Sequence, residues 1–230
     1  MIWYARGSKT CFDSDQRQMP PTIDRSGLDA IARVIATRRS IRRYARQSIP
    51  ADIIDQLLRC AVNAPSAHNR QPWRFAVLHD LKSKALLAKT MGDRLRNDRI
   101  RDGDPPHVID ADVARSYERI TGAPVVILVA TTCVDMDAYP DSHRIQAENL
   151  MAVQSTAMAV QNLLLAAHAA GLAACWMCGP LFCQDAVRSV LNLGSDWQPQ
   201  AIVTLGFPAS LGKPYARRPL SDVVRNMDEA

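Results

Sequence analysis

Thr37-Arg38-Arg39-Ser40-Ile41-Arg42-Arg43 and, further along, Ala64-Pro65-Ser66-Ala67-His68-Asn69-Arg70-Gln71-Pro72-Trp73 are the stretches on which the reading of this chain turns. The first sets four guanidinium groups and a hydroxyl at the end of an amphipathic segment. Arginine forks match phosphate oxygens two at a time and Ser40 can add a hydrogen bond, so the run suits a phosphate clamp. Read by pattern alone it suits a solvated basic face as well. In the second stretch two prolines fix the backbone around small and amide-bearing residues. Small side chains let a flat ligand approach the main chain, and Ser66 and Asn69 offer hydrogen bonds. An ordinary helix-to-strand turn is the alternative. Arg217-Arg218, near the other terminus, can join the first run on one phosphate only if the fold brings the chain ends together.

The elements around these stretches follow from periodicity. Leu28, Ile31, Val34 and Ile35 mark an amphipathic helix from Ser26 into Arg38, with Ser26 and Asp29 resembling a capping arrangement. Residues 1–26, with Met19-Pro20-Pro21, show no sustained pattern and read as a flexible extension to a single domain over 27–230. Pro50 opens a second helix with Ile53, Ile54, Leu57, Leu58 and Ala61 on one face. Strands are expected at Trp73 to His79, Ala123 to Thr131, Leu172 to Met177 and Gln200 to Phe207. The second of these is a continuous β-branched run, as in a strand buried on both faces. A short helix is expected near Leu81 to Met91, then a charged surface insertion over residues 93–118. A long helix should open at Asp141-Ser142 and end at Gly171, followed by a short one around Gln184 to Leu193. Helices outweigh strands, which predicts an α+β or α/β sandwich.

Composition excludes little but narrows the classes. With 230 residues, 47% apolar and 22% charged, the chain can bury one substantial core. A net charge of +5 and a pI near 9.0 allow a phosphate-bearing partner without selecting one. Aromatic residues are sparse at 6%, and no recognition-helix motif adjoins Arg38 to Arg43, which disfavours nucleic-acid binding. The N-terminus lacks the apolar core of a secretory signal, so a cytoplasmic protein is expected, and its six cysteines read as buried free thiols. From Asn149 to Gln184 no Lys, Arg, Asp or Glu occurs. Gln154, Gln161, Asn162, His168 and Gly171 interrupt that stretch, so it reads as a helix buried on nearly all sides and not as a membrane span.

Taken together, Arg38-Arg39-Ser40-Ile41-Arg42, Ala64-Pro65-Ser66, Gln71-Pro72-Trp73-Arg74-Phe75, Ala173-Ala174-Cys175-Trp176-Met177-Cys178-Gly179-Pro180 and Arg217-Arg218-Pro219-Leu220 resemble the nitroreductase family, in the family's order. The resemblance runs from about Leu28 to Val224. Tyr139-Pro140-Asp141, Cys175-Trp176 and Trp197-Gln198-Pro199 are similar to the C-terminal reductase domain of the two-domain enzyme that matures the mycobacterial deazaflavin coenzyme, whose ligase domain has no counterpart here. What the resemblance implies is an α+β, nitroreductase-like sandwich with a mostly antiparallel central sheet, in an interlocked homodimer. FMN would lie at the interface, reduced by NADH or NADPH and passing a hydride to a small acceptor in a ping-pong cycle. Arg38, Arg39, Ser40 and Arg42 would hold its phosphate and ribityl end, closed by Arg217 or Arg218. Pro65, Ser66, Ala67, His68 and Asn69 of the other subunit would line the ring, and the main chain of Met177, Cys178 and Gly179 would pass beside its hydride-accepting nitrogen. A flavin-destroying enzyme of cobalamin synthesis also resembles the family and is the rival within the class. A non-catalytic flavin-binding module is the rival outside it.

Other chemistry finds less support. Cys175-Trp176-Met177-Cys178 could suggest dithiol work, but Gly179-Pro180 follows at once and the surroundings are apolar. No second C-x-x-C or H-x-x-x-H accompanies it, so no metal site is predicted. No Ser-His-Asp set, carboxylate pair or glycine-rich phosphate loop points to a hydrolase or a nucleotide triphosphatase. The insertion at 93–118 is read either as a lid carrying Arg94, Arg96, Arg99 and Arg101 toward an anionic substrate or as a solvated helical hairpin.

Overall fold

Val125 to Thr131 is buried along its whole length because alternate side chains meet two different helical layers. In the computed structural model, which describes Ile23 and residues 25–227, Val125, Ile127 and Val129 pack with Leu57, Val160 and Leu163. Val126 and Leu128, pointing the other way, pack with Leu87, Ile120 and Val187. A strand's two-residue period thus supplies both halves of the core, and the β-branched run needs no polar face.

Four strands form one antiparallel sheet in the order β1-β2-β4-β3: β1 Trp73–Leu78, β2 Val125–Thr131, β3 Ala173–Met177 and β4 Gln198–Gly206. The expected strands and the α+β sandwich are all present. α2 (Ala51–Val62) and α5 (Ser142–Ala169) cover one face of the sheet, while α3 (Leu81–Arg101), α4 (Pro106–Thr121) and α6 (Gln184–Val190) build the other layer. Asp141 caps α5 by accepting from the Arg144 amide at 2.9 Å, and Arg144 lies 4.6 Å over the Tyr139 ring. At the far end Gly171 adopts φ +76°, the left-handed stop expected of it.

Three expectations need correction. α3 does not stop near Met91 but runs on to Arg101, and residues 93–118 are the arm of a packed helical hairpin that buries Ile109 and Ile120. Pairs four apart, Lys89–Asp93 and Arg94–Asp98, carry the helix through the region where apolar periodicity fades. α5 is not buried on nearly all sides: it is long and apolar enough to cross a membrane, and its inner face is core, but Ile145, Leu150 and Met158 are exposed. Of the described cysteines, all free, Cys175 and Cys183 are buried whereas Cys60 and Cys178 are exposed.

α1 (Arg25–Thr37) already includes Ser26 in its first turn, so that residue is not its cap; the expected N-terminal extension otherwise lies almost wholly outside the described residues. None of its side chains is buried within the subunit, although Leu28, Ile31 and Ile35, 58%, 55% and 49% exposed, form the expected apolar stripe. Its C-terminal end is held to α5 through Thr37 Oγ1 and His168 Nε2, 2.8 Å apart. Because that hydroxyl donates to the Arg33 carbonyl at 2.7 Å, the imidazole must supply the proton between them.

Candidate functional site

Beyond α1 the arginine run is laid along the edge of the sheet. Ser40 bridges Ala174 of β3 in parallel, Ala45 N donates to Phe207 O at 2.9 Å, and Ala209 N donates to Arg43 O at 3.0 Å. The Tyr44 side chain fixes the bend: its hydroxyl sits 2.7 Å from Ile41 O and 2.7 Å from Thr204 Oγ1. Burial drives that phenol's pKa far above the usual tyrosine range, so it serves as an uncharged pin.

The two arginine stretches do converge. A cleft of about 910 Å³ has Arg38, Ser40 and Arg42 on one wall and Arg217, from the C-terminal segment, on another. Tyr215 joins the two, its ring lying under the Arg39 guanidinium at 4.3 Å and the Arg217 guanidinium at 3.5 Å. Gly212 lets the segment approach so closely: its φ is +74°, and an added Cβ would stand 2.9 Å from Arg39 Cβ. The arginines of the two stretches stand differently toward this cleft. Arg39 does not line the cleft, since its Nη1 donates to the carbonyls of Ala36 and Arg38 while its plane stacks on Tyr215. Of the two C-terminal arginines, Arg217 reaches the cleft and Arg218 is not among its walls.

The sequence reading missed the third wall. Arg115 and Arg119, one helical turn apart on α4, face the same space with Glu118. Only their i, i+4 spacing on a helix could have signalled it. Arg115 is paired with Asp112, but among the described residues no carboxylate stands within ion-pair range of Arg38, Arg42, Arg119 or Arg217. Burial first, then the like charges of Arg42 and Arg115, pulls the pKa of Arg119 below its ordinary value. Positive groups that outnumber the one carboxylate on the cleft wall, Glu118, favour an anionic ligand.

The arginines proposed for a lid are occupied elsewhere. Arg94 pairs with Asp98 and Asp185, Arg96 with Asp110, Arg99 with Asp104 and Asp112, and Arg101 with Asp98. The hairpin is therefore laced together by its own charges and tied to α6 through Asp185.

Pro65, Ser66, Ala67, His68 and Asn69 lie apart from the cleft walls of the same subunit, as do Met177, Cys178 and Gly179. The loop is shaped by strain: His68, Asn69 and Gln71 have φ of 50°, 53° and 50°. Ser66 Oγ accepts from Gln71 N at 3.0 Å, and Ala67 N donates to Ser155 Oγ of α5 at 3.2 Å, which hold that shape. Met177 ends β3, and Gly179 is a close approach, since a Cβ there would meet Met91 Cε at 2.4 Å. Trp176 Nε1 donates to Cys178 Sγ at 2.6 Å. Cys175 is buried within β3, and burial raises its thiol pKa despite the opposing charges of Arg42 and Arg119, so Cys175 is not the depressed thiol that dithiol exchange needs.

An antiparallel sheet between two helical layers, with an arginine run on its edge and an arginine-rich cleft beside it, defines an α+β protein with a cationic cleft. The sequence profile of the nitroreductase family matches residues 35–207. The chain belongs to that family and is an oxidoreductase. A Thermus thermophilus protein named NADH dehydrogenase is 29% identical over 211 residues, which span 81% of this chain and 91% of the relative. A Methanothermobacter thermautotrophicus protein with an NADH dehydrogenase/NAD(P)H nitroreductase name is 30% identical over 184 residues, 78% of each. A solved nitroreductase-type protein from Desulfovibrio desulfuricans in complex with FMN, 26% identical, matches with a TM-score of 0.66 over 85% of this chain and 95% of that one.

Proposed function

We propose that this chain is an FMN-dependent oxidoreductase that takes a hydride from NADH or NADPH and passes it to a small organic acceptor in a ping-pong cycle, as a cytoplasmic homodimer with FMN at the interface. The observation that carries the reading is the set of Arg38, Arg42, Arg119 and Arg217 around one cleft without carboxylate partners. A phosphate monoester ending in that cleft fits its charge and its donors. FMN, once bound, supplies the hydride chemistry; the protein supplies binding, orientation and exclusion of water.

Arg38, Ser40, Arg42 and Arg217 would hold the phosphate, with Arg119 adding long-range attraction and Tyr215 keeping Arg217 in place. The exposed stripe of α1, with Leu150 and Met158 of α5, supports a partner subunit, because apolar surface of this kind is usually covered. Pro65–Asn69 and Met177–Gly179 stand outside the cleft of their own subunit, which suits a site completed between two copies. The acceptor would be a nitroaromatic, a quinone or an enoyl compound of the deazaflavin-precursor type. Likeness to the deazaflavin enzyme rests in part on residues with structural tasks here: Asp141 caps α5 and Tyr139 stacks under Arg144. Those residues support kinship more than a shared substrate.

Reconstitution with FMN tests the reading. Purified dimer should take up one FMN per chain, bleach anaerobically with NADH or NADPH, and recover colour with quinone or nitroaromatic while the ring survives many turnovers. A monomer that ignores FMN would overturn the proposal. A bound flavin that never bleaches would leave only a binding module, and one consumed after a single turnover would favour the flavin-destroying rival.

A further inference from the structure

Glu148 is the anomaly in the described residues. It sits in the N-terminal third of α5, where Ile145 and Leu150 are 43% and 57% exposed, yet Glu148 itself is only 5% exposed. The helix has turned its acid inward and its apolar neighbours outward. Its Oε2 is fully buried and finds no hydrogen-bond partner. A buried carboxylate oxygen without a donor is costly enough that an unassigned ligand is the natural explanation.

The surroundings indicate what that ligand is. An imidazole nitrogen of His68 and carboxylate oxygens of Asp137 and Glu148 all lie within 4.8 Å of one another. They come from three separate pieces of chain: the strained loop after α2, the segment after β2, and α5. In a four-coordinate site with bonds of about 2.0–2.2 Å, ligand atoms stand roughly 3.4 Å apart, which lies inside the 4.8 Å spread of these atoms. Two carboxylates and a neutral imidazole carry a charge that a divalent ion cancels. Asp137 keeps a second partner, Arg70 Nη2 at 2.6 Å, of the kind that orients a ligating carboxylate from outside.

We propose that His68, Asp137 and Glu148 bind one divalent first-row metal ion, with Zn²⁺ as the reference case, and that the ion ties the Ser66–Gln71 loop to α5. Nitrogen and oxygen donors of this kind suit Zn²⁺, Co²⁺ or Mn²⁺. Nothing in the linear order of residues signals the site, because the ligands are far apart in the chain and follow no metal spacing. Metal binding there does not depend on the flavin reading, although both use the loop that carries His68.

The test is metal binding measured without reference to turnover. Chelator-stripped protein is dialysed against ZnCl₂, bound zinc is counted by mass spectrometry, and affinity is taken from calorimetric titration with ZnCl₂. One zinc per chain is expected, with Glu148→Gln and Asp137→Asn each weakening binding by at least tenfold and Asp110→Asn, on the α3–α4 hairpin, leaving it unchanged. Circular dichroism confirms that each variant is folded; should Glu148→Gln not fold, the half-exposed Asp137 position carries the test. Absence of stoichiometric zinc, or equal affinity in the folded ligand variants and the parent, overturns the proposal. Absorbance near 450 nm, followed in the same samples, separates loss of flavin from loss of metal.

Discussion

Replacing Tyr215 with alanine should weaken FMN binding although this ring need not touch the ligand. The ring is clasped between the Arg39 guanidinium at 4.3 Å and that of Arg217 at 3.5 Å, and through it the C-terminal segment reaches the cleft. Tyr215 is partly exposed, so each cation–π contact belongs at the lower end of the range, about 0.5–1 kcal/mol. Both contacts together are worth about 1–2 kcal/mol, which corresponds to a roughly 5- to 30-fold rise in Kd if the segment's docking is needed for binding. Quenching of FMN fluorescence, titrated at fixed ionic strength, reads this directly. Tyr215→Phe keeps the ring and loses only the long 3.4 Å hydrogen bond to Arg38 O, so its Kd should stay within a factor of about three of the parent. Unchanged affinity in Tyr215→Ala, or an equal loss in Tyr215→Phe, would refute the idea that the stacked ring holds the site closed.

Three further expectations can be checked. Arg42→Ala combined with Arg217→Ala should lower FMN affinity by about 3–6 kcal/mol, taking about 1.5–3 kcal/mol for each charged hydrogen bond, and retention of flavin on dialysis would count against the assignment. His168 is held below the ordinary histidine pKa by burial and then by Arg38 and Arg39, so the unfolded chain binds the extra proton more readily. Stability should therefore fall as the pH drops below about 6.5 and level off beneath the depressed folded pKa; thermal melts from pH 8 to 5 should show that slope in the parent and lose part of it in His168→Phe. Cys175→Ala abolishes any dithiol, and turnover per bound flavin should be retained; complete inactivity in a flavin-loaded, folded protein would restore the thiol reading.

The sheet and its two helical partners were legible because they are written in apolar periodicity. Each of β1 to β4 follows from a short β-branched or apolar run, and α2 from a stripe of Ile54, Leu57 and Ala61 that is buried as expected. The continuation of α3 to Arg101 was not legible in those terms, since its stability there comes from charge pairs and from packing against α4. The arginine run and the strained loop were recognisable by composition, but which guanidiniums line the cleft was not. Arg39 is engaged by backbone carbonyls and Tyr215, while Arg115 and Arg119 enter from a hairpin that looked like surface. Glu148 is the extreme case. It stands one residue before the long charge-free stretch and looks like the last solvated residue of a helix start, whereas the fold buries it.

The mirror-image backbone at His68, Asn69 and Gln71 constrains how this protein can be changed. Side chains with a branched β-carbon are poorly tolerated there, and glycine, asparagine or aspartate are the least strained replacements. Combinatorial libraries that sample this loop should leave those three positions nearly fixed and concentrate diversity at Ala67 and Arg70, whose backbones lie in ordinary territory.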